Sequence, residues 1–490
     1  MFSRVFRVHF VGIGGIGMSG IAEVLLVQGW PVSGSDARSS PITRRLEQLG
    51  ARVHIGHAAA HLGDAEVVVV SSAVAPDNPE VAAARARQLP VIPRAEMLAE
   101  LMRLKFGIAV AGMHGKTTTT SMIATVLAAV GLDPTVVVGG RLDSIGSNAR
   151  LGTTQYLVAE ADESDRSFLH LSPIIAVITN LDREHLDCYR DLADIQDAFV
   201  QFANRVPFYG TVLVGAEDEP TRAILPRIRR RTLTYGLHPD SELRVLEPRL
   251  AGLESHFRLE ATPPAVHLFG RELIARSDLG EFRLPRPGLH NVLDATAAIA
   301  TGLLLGRDPE LIRTAIASFR GVDRRFQIRG EASGVTVVDD YGHHPTELAA
   351  TLAAARQVVT AGGLGGRVLM IFQPHRYTRT FHLQREFAQA LTLADHSFLL
   401  DIYPAGESPI AGVTAETLAA AARLAGARAD YVGDADAAIA AAAAASRPGD
   451  LILTQGAGSV SGLGEKLLAT LDAKPVPHSG SLPPPSLAHS

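Results

Sequence analysis

Apolar runs of four or five residues recur along the chain, most ending in a glycine-rich or charged cluster and leading into a segment of helical character. Short apolar runs bounded by turn signals predict buried strands. Residues 7–11 make the first, followed by Gly12-Ile13-Gly14-Gly15-Ile16-Gly17, an apolar helix over 18–27 and a strand over 31–34 that ends at Ser35-Asp36. Residues 66–70 predict another strand with Ser71 and Ser72 at its end, and 90–94 a strand end leading into a helix over 95–103. A second series opens with a strand over 108–111, a turn over Gly112-Met113-His114-Gly115, and Lys116 with four threonines at the head of a helix. Strands over 156–159 and 174–178 deliver Glu160-Ala161-Asp162-Glu163 and Thr179-Asn180-Leu181-Asp182 at their ends. Residues 241–284 read as strand-like with frequent breaks, and 287–291 begin an alanine-rich helix through 305. A third series has strands over 335–338, 367–372, 398–400 and 451–454, each delivering a polar cluster. Such alternation predicts α/β architecture with a mostly parallel sheet in each of three domains. They span 1–104, 105–321 and 322–473 and read as Rossmann-like, P-loop ATPase-like and Rossmann-like in turn. Residues 474–490, rich in Pro and Ser, are expected to be disordered.

Composition narrows the function class. Of 490 residues, 47% are hydrophobic and 20% charged, ordinary for a globular protein with real cores. A net charge of −5 argues against nucleic acid as the main partner. The one basic run, Arg227-Ile228-Arg229-Arg230-Arg231, reads as a solvated helix end. Cys188 is the only cysteine, so an internal disulfide is excluded and a reducing cytoplasm is expected. No apolar run approaches the ~20 residues of a membrane-spanning helix, and no signal peptide is expected ahead of the first strand. A soluble protein without membrane insertion is expected, as a monomer or homodimer.

The richest chemistry lies at 106–120. A strand, a glycine turn and a helix start together make an anion site, because the first helical N–H groups lack partners and the helix dipole adds positive charge. Lys116 supplies a full charge for nucleotide phosphates, and Thr117 a hydroxyl suited to Mg²⁺. The loop is shortened: Val110 stands where a standard phosphate loop has its first glycine. Lys116 is also one of only four lysines in an arginine-rich chain, which points to a need for a compact ammonium. Glu160 and His185, at strand ends downstream, complete a sensible Mg²⁺ environment with Thr117. In the first domain, Gly12, Gly14 and Gly17 with Asp36 form a dinucleotide-type fingerprint, which suits NAD or any other diphosphate.

Eight stretches, in order, resemble the Mur ligases: residues 9–25, 111–120, 159–169, 180–187, 288–291, 323–326, 339–347 and 372–380. The resemblance covers roughly residues 5–470. It implies an ATP-dependent ligase of peptidoglycan assembly, joining L-alanine to the carboxylate of UDP-N-acetylmuramate through an acyl phosphate. It moves the first domain from NAD to the UDP end of the substrate, with Gly14, Gly15, Ile16 and Gly17 at the diphosphate and Asp36, Ser71 and Ser72 nearby. ATP would be held by Gly112, Met113, His114, Gly115, Lys116, Thr117 and Thr118, with Asn291, Arg325 and Asp340 as further nucleotide contacts. Thr117, Glu160 and His185 match the family's metal positions. Lys116, His344, Arg376 and Arg379 would carry the catalytic work, the last three where alanine meets the activated acid.

The chain departs from the family pattern at Met113, which replaces a usual threonine or serine, and at Asp294, where asparagine is common. It also has no lysine between Lys116 and Lys466 to carry the carbamate that bridges a second Mg²⁺ in some relatives. The nearest rival is the family's ligase that reattaches a recycled tripeptide. An NAD-dependent dehydrogenase leaves the phosphate loop and third domain unexplained, and a nucleotide-regulated binding protein without chemistry fails if Lys116→Ala abolishes ADP formation that depends on both substrates.

Overall fold

A computed structural model of the chain describes residues 6–71, 73–142, 147–270, 277–363 and 365–473. Ser72 and the tail 474–490 lie outside the described residues. Three sheets carry the architecture, in two compact units that divide at Asp323/Arg324.

In the first unit, a five-stranded parallel sheet has Val8–Val11 at its centre, flanked by Val32–Asp36 and Arg52–Ile55 on one side and Val67–Val70 and Val91–Pro93 on the other. Val8–Val11 is buried along its whole length because helices cover both faces, as a parallel sheet requires. The Glu80 carboxylate is buried against it. Glu80 accepts hydrogen bonds from the Ser35 hydroxyl and the Ala58 N–H, and its oxygens also contact ring nitrogens of His9 and His61. Burial alone would push its carboxyl up, but the bonds from His9, Ser35 and Ala58 outweigh that and hold it down at about 2. The hub ties strand Val32–Asp36, which ends in Asp36, to the helix Pro79–Ala86.

The second sheet has ten strands. Phe106–Ala111 lies between Ile175–Ile178 and Tyr156–Glu160, parallel to both, and its last five residues are fully buried. The helix Arg94–Arg103 connects the two sheets, and its Met97, Leu101 and Met102 share one core with Ala109, Leu157 and Phe168. Residues 241–284, expected to be broken strand, include three antiparallel strands, Leu243–Ala251, Glu254–Ala261 and Asp278–Leu284. The helix Pro263–Phe269 supplies the main interruption. The helix Leu289–Leu304 packs its alanine-rich face onto the phosphate-loop helix Lys116–Ala129.

The second unit holds a six-stranded sheet. Val335–Asp340, Leu451–Gln455, Val368–Phe372, His396–Leu400 and Ala429–Gly433 run parallel, and Gln327–Ala332 adds an antiparallel edge. That edge strand escapes the sequence pattern because it is polar and half exposed.

Candidate active site

The glycine loops at 12–17 and 112–115 and the clusters at 160–163, 179–182, 340–345 and 373–380 follow the carboxyl ends of parallel strands, where open α/β sheets bind ligands, whereas Asn291 follows an antiparallel strand and Arg325 precedes one. Phe106–Ala111 runs into Gly112, and the helix begins at Lys116 with Gly115 as N-cap and no side chain bonded to its first N–H groups. Those donors therefore face the loop. Two glycines are obligatory here. Gly112 has φ +139°, and a Cβ on it would fall 1.9 Å from the Thr179 hydroxyl; Gly115 has φ +81°, with Asp294 Oδ1 2.6 Å from where its Cβ would sit. The next strand end clamps the turn: Thr179 Oγ1 and Asn180 Nδ2 both donate to the His114 carbonyl, at 2.6 and 3.0 Å. Asn180 also accepts from the N–H groups of His114, through its side chain, and Met113, through its carbonyl.

Lys116 folds back over the loop. Its ammonium donates to Gly112 O at 2.8 Å, Met113 O at 3.2 Å and Glu163 Oε1 at 2.7 Å. Burial would lower its pKa, but the charges of Glu163 and Glu160 outweigh that and raise it, so the ammonium is fixed in the charged form. Thr117 Oγ1 donates to both oxygens of Glu160, at 3.1 and 3.0 Å. A hydroxyl and a carboxylate at the head of a phosphate-binding helix are the hard oxygen donors that suit Mg²⁺. His185, grouped with them from sequence, instead has Nε2 3.4 Å from Glu163 Oε1. The other oxygen of Glu163 is buried without a hydrogen-bond partner among the described residues. A donor set with an orphaned carboxylate oxygen fits a bound cation.

Asp294, the departure from the family pattern, accepts from Thr119 Oγ1 at 2.7 Å and lies under Gly115. It braces the phosphate-loop helix against its neighbour. Asn291 is buried, with Nδ2 donating to Pro287 O at 2.7 Å.

The first glycine loop is built on similar lines. Gly12 has φ +82°, and Gly14 N donates to Asp36 Oδ2 at 2.9 Å. A Cβ on Gly14 would come within 2.8 Å of that oxygen, and one on Gly12 would approach the Ser71 hydroxyl at 3.7 Å. The helix Ile16–Val27 starts without a side-chain cap, leaving N–H donors for an anion. Arg94 was not singled out in the sequence. Its guanidinium lies against Gly17 and donates to Asp162 Oδ2 at 3.0 Å. It therefore links this loop to the strand end that holds Lys116. Burial works against ionisation of Asp162, but bonds from Ser164 and the charges of Arg94 and Lys116 hold its pKa below the usual range. The signal for Arg94 was its position directly after a strand, Val91–Pro93.

In the second unit, both oxygens of Asp340 are occupied. They accept from Phe326 N and Gly342 N at 2.8 Å, Gln455 Nε2 at 3.1 Å and Thr351 Oγ1 at 3.2 Å. Arg325 stacks over the Tyr341 ring, its guanidinium carbon 5.1 Å from the centroid. His344 caps the helix Pro345–Ala361 in a reciprocal box with Glu347, its Nδ1 accepting from Thr346 N. Arg376 has φ +68° at the start of the helix Tyr377–His382, and Arg379 contacts His375 Nδ1 at 3.2 Å. The rings of His343 and His375 meet edge to face at 5.4 Å, so the turns after Val335–Asp340 and Val368–Phe372 converge across the end of the intervening strand Leu451–Gln455.

Two glycine loops under uncapped helices, one with a partly buried lysine among carboxylates, define a protein that handles phosphate esters on α/β sheets. The chain belongs to the Mur ligase family: the family's catalytic-domain model matches residues 7–106, its middle-domain model 110–302 and its glutamate ligase domain model 324–458. Among relatives, the UDP-N-acetylmuramate–L-alanine ligase of Koribacter versatilis is 56% identical over 97% of this chain and 99% of its own. That of Solibacter usitatus is 55% identical over 96% of each. Among solved structures, the UDP-N-acetylmuramate–alanine ligase of Thermotoga maritima is 30% identical with a TM-score of 0.76, over 95% of this chain and 98% of that one. A murein peptide ligase from Psychrobacter arcticus is 25% identical with a TM-score of 0.67, over 96% of this chain and 100% of that one.

Proposed function

We propose that the chain is an ATP-dependent ligase that joins L-alanine to the carboxylate of UDP-N-acetylmuramate through an acyl phosphate, releasing ADP and phosphate. The observation that carries this reading is the phosphate loop, whose partly buried ammonium is fixed among carboxylates at the head of an uncapped helix. The close relatives named for L-alanine addition support the choice of amino acid.

In the first step a muramate carboxylate oxygen attacks the γ-phosphorus and the bond to ADP breaks. Two anions must meet, so positive charge at the transferring phosphoryl group lowers the barrier. Lys116 supplies one charge by exchanging its loop carbonyls for phosphate oxygens, and the N–H groups of Gly115–Thr118 supply dipoles. Thr117 and Glu160 would hold Mg²⁺, with His185 beside them, and the ion when bound neutralises phosphate charge. Gly14–Gly17 and Arg94 would hold the substrate's diphosphate, with Asp36 shaping the loop through Gly14 N and Ser71 beside Gly12. In the second step the neutral amine of L-alanine attacks the acyl carbon and phosphate leaves with the carboxyl oxygen. His344, Arg376 and Arg379 are assigned to this step. Because His344 Nδ1 accepts from Thr346 N, the neutral ring carries its proton on Nε2. His344 then serves as an orienting donor rather than a base. Asn291, Arg325 and Asp340 complete the proposed nucleotide set, Asp340 acting through the backbone it orders at Phe326 and Gly342. We assign 1–104 to the UDP-sugar, 105–321 to ATP and 322–473 to the amino acid.

Phosphate release from ATP and UDP-N-acetylmuramate, measured across an amino-acid panel, tests the substrate assignment. L-Alanine is expected to exceed the recycled tripeptide by at least about 100-fold, the range that differential pocket binding supplies. Faster turnover with the tripeptide would move the chain to the rival ligase.

A further inference from the structure

The basic run at 227–231 is not the end of an α-helix. Leu225–Arg227 is a single 3-10 turn, and the arginines that follow occupy a loop pinned on both sides. Asn204 holds that loop twice, donating to Arg227 O and accepting from Arg229 N at 2.8 Å, while Arg230 Nε donates to Val206 O. Arg227 pairs with Asp197, but Arg205, Arg229, Arg230 and Arg231 make no ion pair among the described residues. In a chain of net charge −5, this is a local positive field that Asp197 offsets at one arginine, Arg227.

Beside it stands a tight turn, closed by Gly210 N donating to Pro207 O at 2.9 Å, that projects two consecutive aromatic rings. Phe208 is 88% exposed and Tyr209 60%, their rings packed edge to face at 5.2 Å. The turn and the basic loop are neighbours because the strands they lead into, Thr211–Gly215 and Thr232–Gly236, are parallel partners, with Val212 N donating to Arg231 O. A groove of about 590 Å³ opens between the basic loop and the helix Leu192–Asn204, lined by Val200, Asn204, Pro226, Arg227, Arg229 and Arg230.

We propose that this surface docks on an anionic phospholipid membrane, with Phe208 and Tyr209 entering the headgroup layer and the arginines meeting lipid phosphates. Aromatic rings with a polar rim settle at membrane interfaces, and each arginine near an anionic leaflet adds attraction that salt screens. A ring that projects from a turn needs no preformed pocket in a fluid surface, whereas a protein partner must supply one. A second copy meeting this surface by two-fold symmetry would set arginines against arginines. The surface lies at the amino ends of its strands, and the phosphate loop at the carboxyl end of the parallel strand Phe106–Ala111, so docking leaves the site open.

The test is sedimentation of the full chain with vesicles of equal phosphatidylglycerol and phosphatidylcholine at low salt, against vesicles of phosphatidylcholine alone. Retention is expected on the anionic vesicles only. Two variants, Arg229→Ala with Arg231→Ala and Phe208→Ser with Tyr209→Ser, are each expected to weaken it by about tenfold or more. Both variants should keep wild-type ATP turnover, which also shows that they fold. Failure of the wild type to bind, equal binding to both vesicles, or binding unchanged in either variant overturns the proposal. So does capture of an acidic protein by a chain that ignores both vesicles.

Discussion

Lys116→Ala is expected to lower ADP formation by roughly 10²–10³-fold or more, the loss seen when one preorganised charge partner of a transition state is removed. It is also expected to reduce stability by about 3 kcal/mol, because Glu163, 1% exposed, would be left as a buried charge without its counter-ion. The two losses separate in a second variant. Lys116→Met combined with Glu163→Gln removes both charges, so stability should largely return while ADP formation does not. Lys116→Arg should not rescue turnover either. A planar fork cannot reproduce an ammonium held by two loop carbonyls and one carboxylate oxygen. Denaturant unfolding alongside ADP release distinguishes these outcomes. Wild-type turnover in Lys116→Ala would remove the loop from the chemistry.

Gly112→Ala should be nearly as damaging through geometry alone. An L-residue at φ +139° costs of order 1–3 kcal/mol, and the new methyl would displace the Thr179 hydroxyl, which loses its bond to His114 O. Thr179 is one of the two side chains that hold the turn, so the loop N–H groups would move with it. A displacement of about 1 Å at such a site costs on the order of 100-fold in rate. Adding Thr179→Ala removes the hydroxyl overlap but leaves that residue's Cβ and N 3.1 Å from the new methyl, and leaves the backbone strain, so melting temperature should recover in part and turnover little. Thermal melts of the single and double variants, with turnover, check this.

How far these residues were legible in the sequence depended on how local their partners are. The loop over 112–120, its strand and its helix follow from short-range pattern, and the structure forms them. So do the strand ends carrying Glu160, His185 and Asp340. Glu163 was within view, in a run of acids after a strand, but nothing in spacing shows that Lys116 chooses it over Glu160. That pairing depends on the side-chain directions of two different turns. The same holds for Arg94, which reaches Asp162 across 68 positions. Asp340 shows a second kind of gap: an acid at a strand end looks like a ligand contact, yet four protein donors converge on it through long-range packing. The antiparallel strands over 243–284 were seen only as broken strand because a helix interrupts their alternation. The arginine run read as a helix end because its charge has the composition of one. Its loop conformation comes from Asn204, more than twenty residues earlier.

The most direct measurement follows an oxygen atom. UDP-N-acetylmuramate labelled with ¹⁸O in its carboxylate is incubated with the chain, ATP, Mg²⁺ and L-alanine, and the inorganic phosphate is analysed by mass. Attack of the carboxylate on the γ-phosphorus, followed by amine attack on carbon, places one labelled oxygen in every phosphate released, with ADP forming only when both substrates are present. Phosphate without label, or ADP formation indifferent to L-alanine, would contradict ligation through an acyl phosphate.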